Sequence, residues 1–328
     1  MRPRHQRVRE PGTSVEGERP VAVIAAFIGN ALITIAKGIA AIATGSGSLL
    51  AETAHSLADS LNQAFLYIGV RRSARGPSEQ YPLGFGKERY FWALAVALML
   101  FFGGGVFSLY EAWDRFNNPH ELGNSLIGFG VLGIAAVFEG SSLAFAIHEL
   151  VQAAHEEDRS VLGFLRVLPD PALRTVLFED SAALIGIVFA ASGLAISTVT
   201  GDHIYDAIAS AGIGLLLVGV AIALATDARG LIIGESPPDD VLDEIRAVLS
   251  ADQRIESVVE LSVVRMGVDR LLVLARLGLV DGLSTDEVER ALARSRQALH
   301  EARTDIGDIY LEATAPAAAR IDGPQARA

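Results

Sequence analysis

Glu52, His55, Asp59 and Asn62 follow one another at spacings of three, four and three within LLAETAHSLADSLNQAFLYIGV. At about 100° per residue, these positions share one face of a helix. Imidazole offers a neutral nitrogen and carboxylate a hard anionic oxygen. The four-residue separation of His55 and Asp59 lets both reach one cation of the zinc type. A second acidic pair, Glu179 and Asp180, opens the otherwise apolar stretch RTVLFEDSAALIGIVFAASG. If the two helices pack together, His55, Asp59 and Asp180 supply three ligands of a four-coordinate nitrogen and oxygen site, with Glu179 or water as the fourth. Ala51, Ala54, Ala58, Ser181, Ala182 and Ala183 are small enough to permit that approach. The chain has no cysteine, which excludes thiolate ligands, disulfides and thiol nucleophiles together.

The elements that must position these groups are apolar. Of 328 residues, 51% are hydrophobic and the mean hydropathy is +0.37, too apolar for an ordinary soluble domain. Six membrane spans can be drawn, at 21–44, 49–70, 90–110, 125–147, 173–199 and 204–225, each near the length a helix needs to cross a ~30 Å hydrocarbon layer. A charge at that depth costs about 2.5–3.5 kcal/mol on insertion scales, so the His and the carboxylates in the second and fifth spans point to function. Residues 1–20 are Arg-rich and polar and read as a disordered cytoplasmic arm, domain one of four. The loop with Arg71, Arg72, Arg75, Lys87 and Arg89 is basic, whereas TGSGS and TGDH carry no Lys or Arg, which places both termini in the cytoplasm. On the same rule the polar stretch from His148 to Asp170 is a cytoplasmic loop. The membrane domain is expected to take residues 21–230.

From Pro237 the pattern becomes a soluble αββαβ one: helix at 239–250, strands at 255–266 and 270–280 joined at Gly267-Val268-Asp269, helix at 285–304, strand at 309–313. Residues 237–314 therefore form a small cytoplasmic α+β domain of ferredoxin-like type whose core is marginal alone and gains from a second copy. Residues 315–328 read as a disordered Ala/Pro-rich tail. The fold class is an α-helical membrane protein of six transmembrane helices followed by this domain. A net charge of −12 excludes a nucleic-acid partner, since phosphate binding needs a basic face.

AETAHSLADSLNQ, YPLGFGKERYFWAL, FEDSAALIG and the αββαβ tail together resemble the cation diffusion facilitators, over roughly residues 21–313 and closest to their zinc-transporter branch. The resemblance implies a homodimer in the cell membrane that exports a divalent metal, Zn2+ first and Mn2+, Fe2+ or Co2+ as the alternative, in exchange for protons by alternating access. It implies no enzyme activity and no cofactor beyond the transported ion. The partners it implies are a second copy through the C-terminal and membrane domains, the metal, protons and membrane lipid. His55, Asp59 and Asp180 match its transport ligands. Zinc-selective members have a His four residues before the fifth-span Asp, where this chain has Val176, so Glu179 or water stands in and the ligand set is harder. Tyr81 and Phe85 stand where some members carry metal-binding His, and the tail's single His300 gives no basis for a binuclear cluster. Metal ligation needs deprotonated groups, so protons compete the metal off, with His55 the natural carrier at an ordinary pKa near ~6.5.

Other intramembrane polar residues have simpler explanations. Glu52 supports the ligands or lines the entrance. Asn30, Lys37 and Glu139 are accounted for by interhelical hydrogen bonds or snorkelling. His120, His148, His155 and His203 lie at loops or span ends, where a solvated His is ordinary, and Gly103 to Gly105 form a packing or kink site. Two rival functions are an intramembrane metal-dependent hydrolase, which lacks any HExxH motif, and a non-transporting membrane scaffold, for which His55 and Asp59 would be dispensable.

Overall fold

A computed structural model describes residues 20–119, 123–156, 159–168 and 171–314. The arm expected over 1–20, apart from Pro20, the tail expected over 315–328, and His120 lie outside the described residues. Among the described residues the chain divides into two units. One holds the helices up to Arg229 apart from residues 73–87, and the other holds residues 73–87 and the chain from Gly230.

The first unit is built from α1 (Pro20–Thr44), α2 (Gly47–Ser73), α3 (Glu88–Met99), α4 (Phe107–Asn117), α5 (Ser125–Glu156), α6 (Val161–Val167), α7 (Pro171–Thr200) and α8 (Ile204–Ile233). A π-helical stretch, Leu100–Val106, joins α3 and α4 into one rod. Glu88–Asn117, Ser125–Glu156, Pro171–Thr200 and Ile204–Ile233 are long and apolar enough to cross a membrane. Within the described part of α1 the apolar run is shorter, Gly29–Thr44, and α2 has the length, 27 residues, but is diluted by its polar face. Gly45 and Gly201, at φ of 67° and 71°, close α1 and α7 in the left-handed conformation that a Cβ disfavours.

The expected loop over 148–170 is corrected. α5 runs on to Glu156 and α6 follows, because helical hydrogen bonding continues wherever one face still finds apolar partners. Ala146, Leu150 and Ala154 of α5 pack with Phe164 and Leu168. The apolar run alone marks the width of hydrocarbon and not the length of helix.

This unit differs from a water-soluble protein in its apolar outside. The inside holds small and polar residues such as Ala51, Ser56, Asn62, Ala182, Ala183, Asp206 and Ser210, while Ile42, Leu126, Val137, Val188 and Leu215 are exposed on the outside. Such a surface is stable only against an apolar solvent, so this is a membrane protein. Gly104 and Gly105 act as expected for packing: a Cβ at either would run into Leu217 or Val218 of α8. The N-terminus of α2 is capped from far along the chain. The carboxylate of Asp206 accepts from the Gly47 N–H and the Ser46 hydroxyl, both at 2.6 Å.

The second unit has the expected αββαβ order: α9 (Asp239–Leu249), β1 (Ile255–Gly267), β2 (Arg270–Leu279), α10 (Thr285–Ala302) and β3 (Ile306–Thr314). β2 is central, antiparallel to β1 and parallel to β3. Its odd-numbered residues Leu271, Val273 and Leu277 face Ile245, Leu249 and Leu299 of the two helices. On its other face Leu274 and, on β3, Tyr310 are exposed. Ser284 and Glu287 form a capping box at the start of α10. Gly86, from the loop after α2, lies so close to the Met266 carbonyl near the end of β1 that a Cβ there would overlap it.

Candidate functional site

The polar face read from the sequence lies on α2 and points inward: Glu52, His55 and Asn62 are buried, and Asp59 is partly buried. The α2 side chains meet α7 at two heights. At one, the Asn62 amide donates to Glu179 Oε1 at 2.6 Å, and the Asp59 and Glu179 carboxyls lie within hydrogen-bonding reach. At the other, the Glu52 carboxylate lies over Gly186, where a side chain would collide with it. Small residues make this approach possible, with Ala51, Ala58, Ala182 and Ala183 all buried.

Asp59 is held by two further donors, Asn30 Nδ2 of α1 at 3.1 Å and Gln63 Nε2 at 3.5 Å. Asp180, next to Glu179 on α7, has a hydrogen bond from Ser142 on α5, and its Oδ2 has no partner among the described residues. His55 is buried, and its Nδ1 likewise has no partner there. Asp180 lies close enough to act electrostatically on both Asp59 and Glu179.

The structure thus joins Asp59 to Glu179 with Asp180 near them, and buries His55 about one turn along α2 from Asp59. It does not gather the expected ligands into one shell: among the described residues, no three His, Asp or Glu side chains stand together at the spacing of a single ion's ligands. Val176 is turned to an apolar cluster with Leu173, Leu177, Leu143 and Ala146, so its position carries no donor.

Several residues acquire roles that their spacing did not disclose. Asn30 and Asn62 orient carboxylates of the candidate set. Lys37, wholly buried on α1, pairs with Glu52 Oε2 at 3.2 Å and with Glu139 Oε1 of α5 at 3.8 Å, and donates to Ser56 Oγ at 2.7 Å. Of the two explanations expected for Lys37, interhelical hydrogen bonding holds and snorkelling does not, and Glu52, fully buried, belongs to the same ion cluster and lines no entrance. The available signal was that each is a costly charge at membrane depth and must find a partner. His148, His155 and His300 are exposed, and Tyr81 stacks on Phe85 at 4.6 Å between ring centres.

Residues 23–233 match the family model of the cation efflux transmembrane domain. The chain is 32% identical over 257 residues to the protein named proton-coupled zinc antiporter SLC30A9, mitochondrial, of Xenopus laevis, covering 78% of this chain and 46% of that one. It is 32% identical over 214 residues to metal tolerance protein C4 of Arabidopsis thaliana, covering 65% and 47%. It is 28% identical over 233 residues to the magnetosome protein MamB of Magnetospira sp., covering 71% and 74%. The chain spans a little under half the length of the first two of these relatives. With the family's transmembrane domain matched over residues 23–233 and the acidic and histidine groups of α2 and α7 turned inward, the chain belongs to the cation efflux family, the cation diffusion facilitators.

Proposed function

We propose that this chain is a transporter and not an enzyme: it exports a divalent metal cation, Zn2+ foremost and Mn2+, Fe2+ or Co2+ as the alternative, in exchange for protons by alternating access. The observation that carries this reading is the buried polar face of α2, with Asp59 and Asn62 meeting Glu179 of α7 inside a body whose outside is apolar. Charged groups are kept at such depth where an ion must pass. A relative named as a proton-coupled zinc antiporter supports both the exchange and the metal.

His55, Asp59 and Asp180 are the proposed ligands, with Glu179 or water as the fourth. The unpartnered His55 Nδ1 and Asp180 Oδ2 leave lone pairs for an ion, and rotation of the side chains on α2 and α7 closes the shell. With no imidazole at 176, the set holds one nitrogen among oxygens, which narrows the preference of Zn2+ over harder ions. Because ligands bind metal only when deprotonated, protons entering from the far side displace it.

In this reading all six long helices cross the cell membrane, with both termini in the cytoplasm. The loops' Lys and Arg distribution supports that orientation. The ferredoxin-like domain of residues 237–314 pairs two copies, a role supported by the exposed Leu274 and Tyr310 on one face of its sheet.

The test is uptake of zinc into proteoliposomes under an imposed pH gradient, with manganese, cobalt and iron as competitors. Wild type takes up metal faster with the gradient than without it. His55→Ala, Asp59→Ala and Asp180→Ala, purified to the same folded fraction, do not. Uptake indifferent to the gradient ends the antiport reading, and variants as active as wild type end the site assignment.

A further inference from the structure

Lys37 on α1, Glu52 on α2 and Glu139 on α5 form a cluster that metal ligation leaves unused. The Lys37 ammonium has three N–H groups, and they face Ser56 Oγ at 2.7 Å, Glu52 Oε2 at 3.2 Å and Glu139 Oε1 at 3.8 Å. Lys37 and Glu52 are fully buried and Glu139 is 8% exposed. One positive and two negative groups leave a negative charge uncompensated in a body surrounded by hydrocarbon, which is unfavourable without a further cation.

A second observation locates that cation. Glu52 Oε1 is buried and has no hydrogen-bond partner among the described residues. It presses on α7 at Gly186 so closely that a Cβ there would overlap it. An oxygen closed to water and wedged against backbone has room for a hydrogen and none for a coordinated ion.

We propose that Glu52 is a proton-binding site separate from the metal ligands, and that its proton is released when metal binds. This inference rests on the exchange of metal for protons proposed above. The charged groups that act on Glu52 are Lys37 from α1 and Glu139 from α5, and on its own helix His55 lies about one turn and Asp59 about two turns away. On α7, Glu179 and Asp180 lie more than a turn from Gly186. The two clusters are linked by charge. Glu139 acts on both Asp59 and Asp180, and Lys37 acts on both His55 and Asp59. A divalent ion arriving between α2 and α7 raises the potential at Glu52, and the proton leaves to water on the side then open. Charge moves one way as metal and the other way as hydrogen ion, with no other reactant.

The experiment counts protons. The purified full chain is titrated with zinc chloride by calorimetry in buffers of differing ionisation enthalpy. In Glu52→Gln the count released per metal falls by about one, while zinc still binds. Lys37→Arg, which keeps the ammonium's charge, retains the wild-type count. Independently of any variant's folding, infrared difference spectra of wild type show a protonated carboxyl band that vanishes on zinc addition, and Glu52→Asp shifts that band. The idea is overturned by an unchanged proton count in Glu52→Gln, by an infrared difference without the band, or by a count that follows sodium or potassium concentration. If wild type exchanges zinc for protons and Glu52→Gln matches it, this inference alone falls. If wild type releases no proton on binding zinc, the exchange reading falls with it.

Discussion

Lys37→Met tests the buried ion cluster as a source of stability. Methionine keeps most of the aliphatic stem and removes the ammonium, leaving Glu139 without its counter-ion and Glu52 Oε2 and Ser56 Oγ without their donor. Loss of one partner from a buried ion pair costs about 3–5 kcal/mol, because the remaining charge stays desolvated. At about 2–4 °C per kcal/mol for a body of this size, the melting temperature falls by roughly 6–20 °C. Trp92 and Trp113 both lie in the rod formed by α3 and α4, so intrinsic fluorescence during heating in nanodiscs reports this unit. The triple variant Lys37→Met, Glu52→Gln, Glu139→Gln recovers most of the loss, since it leaves no bare charge. Salt changes neither result, as buried pairs are poorly screened. A single variant melting within a degree of wild type, or a triple variant no better than the single, refutes the reasoning.

Asn62→Ala removes the donor 2.6 Å from Glu179 and lowers zinc affinity on the order of 10–100-fold by titration, the range for losing a group that orients a ligand. An unchanged affinity argues that Glu179 stands outside the site. Val176→His adds an imidazole one turn before Asp180 and raises zinc over manganese in competitive uptake, and an unaltered preference defeats the selectivity argument. Ser284→Ala breaks the capping box with Glu287 and costs about 0.5–2 kcal/mol, seen as faster amide exchange over the first turn of α10. Asp252 has a pKa that partial burial works to raise, yet hydrogen bonds from the Arg254 N–H and the Arg294 guanidinium hold it below the ordinary 3.8. Its stabilising contribution is therefore complete above pH 3.8 and lost as pH falls through the lower folded value, and amide exchange around Asp252 rises in acid less steeply in Asp252→Asn.

Much of the site was legible because helical spacing is local. Glu52, His55, Asp59 and Asn62 repeat at helical intervals, so their common face follows from the chain alone, as does the adjacency of Glu179 and Asp180. The β1–β2 turn was also readable, with Gly267 paired to Arg270 across Val268 and Asp269. The end of α5 was not. Hydropathy stops at about Ile147, while the helix continues to Glu156 because Leu150 and Ala154 find Phe164, a contact set by a later segment.

Residue types and spacing alone establish that apolar helices carry a His, five acids and an ammonium at membrane depth, and that an αββαβ unit follows. Composition and period settle such matters residue by residue. The partnerships come from the packed helices: Asn30 with Asp59, Asn62 with Glu179, Lys37 between Glu52 and Glu139. Which polar groups meet depends on which helices touch, at what height and in what rotation. Those are set by small residues such as Gly186 and Ala183 allowing close approach, and no spacing along one helix encodes them.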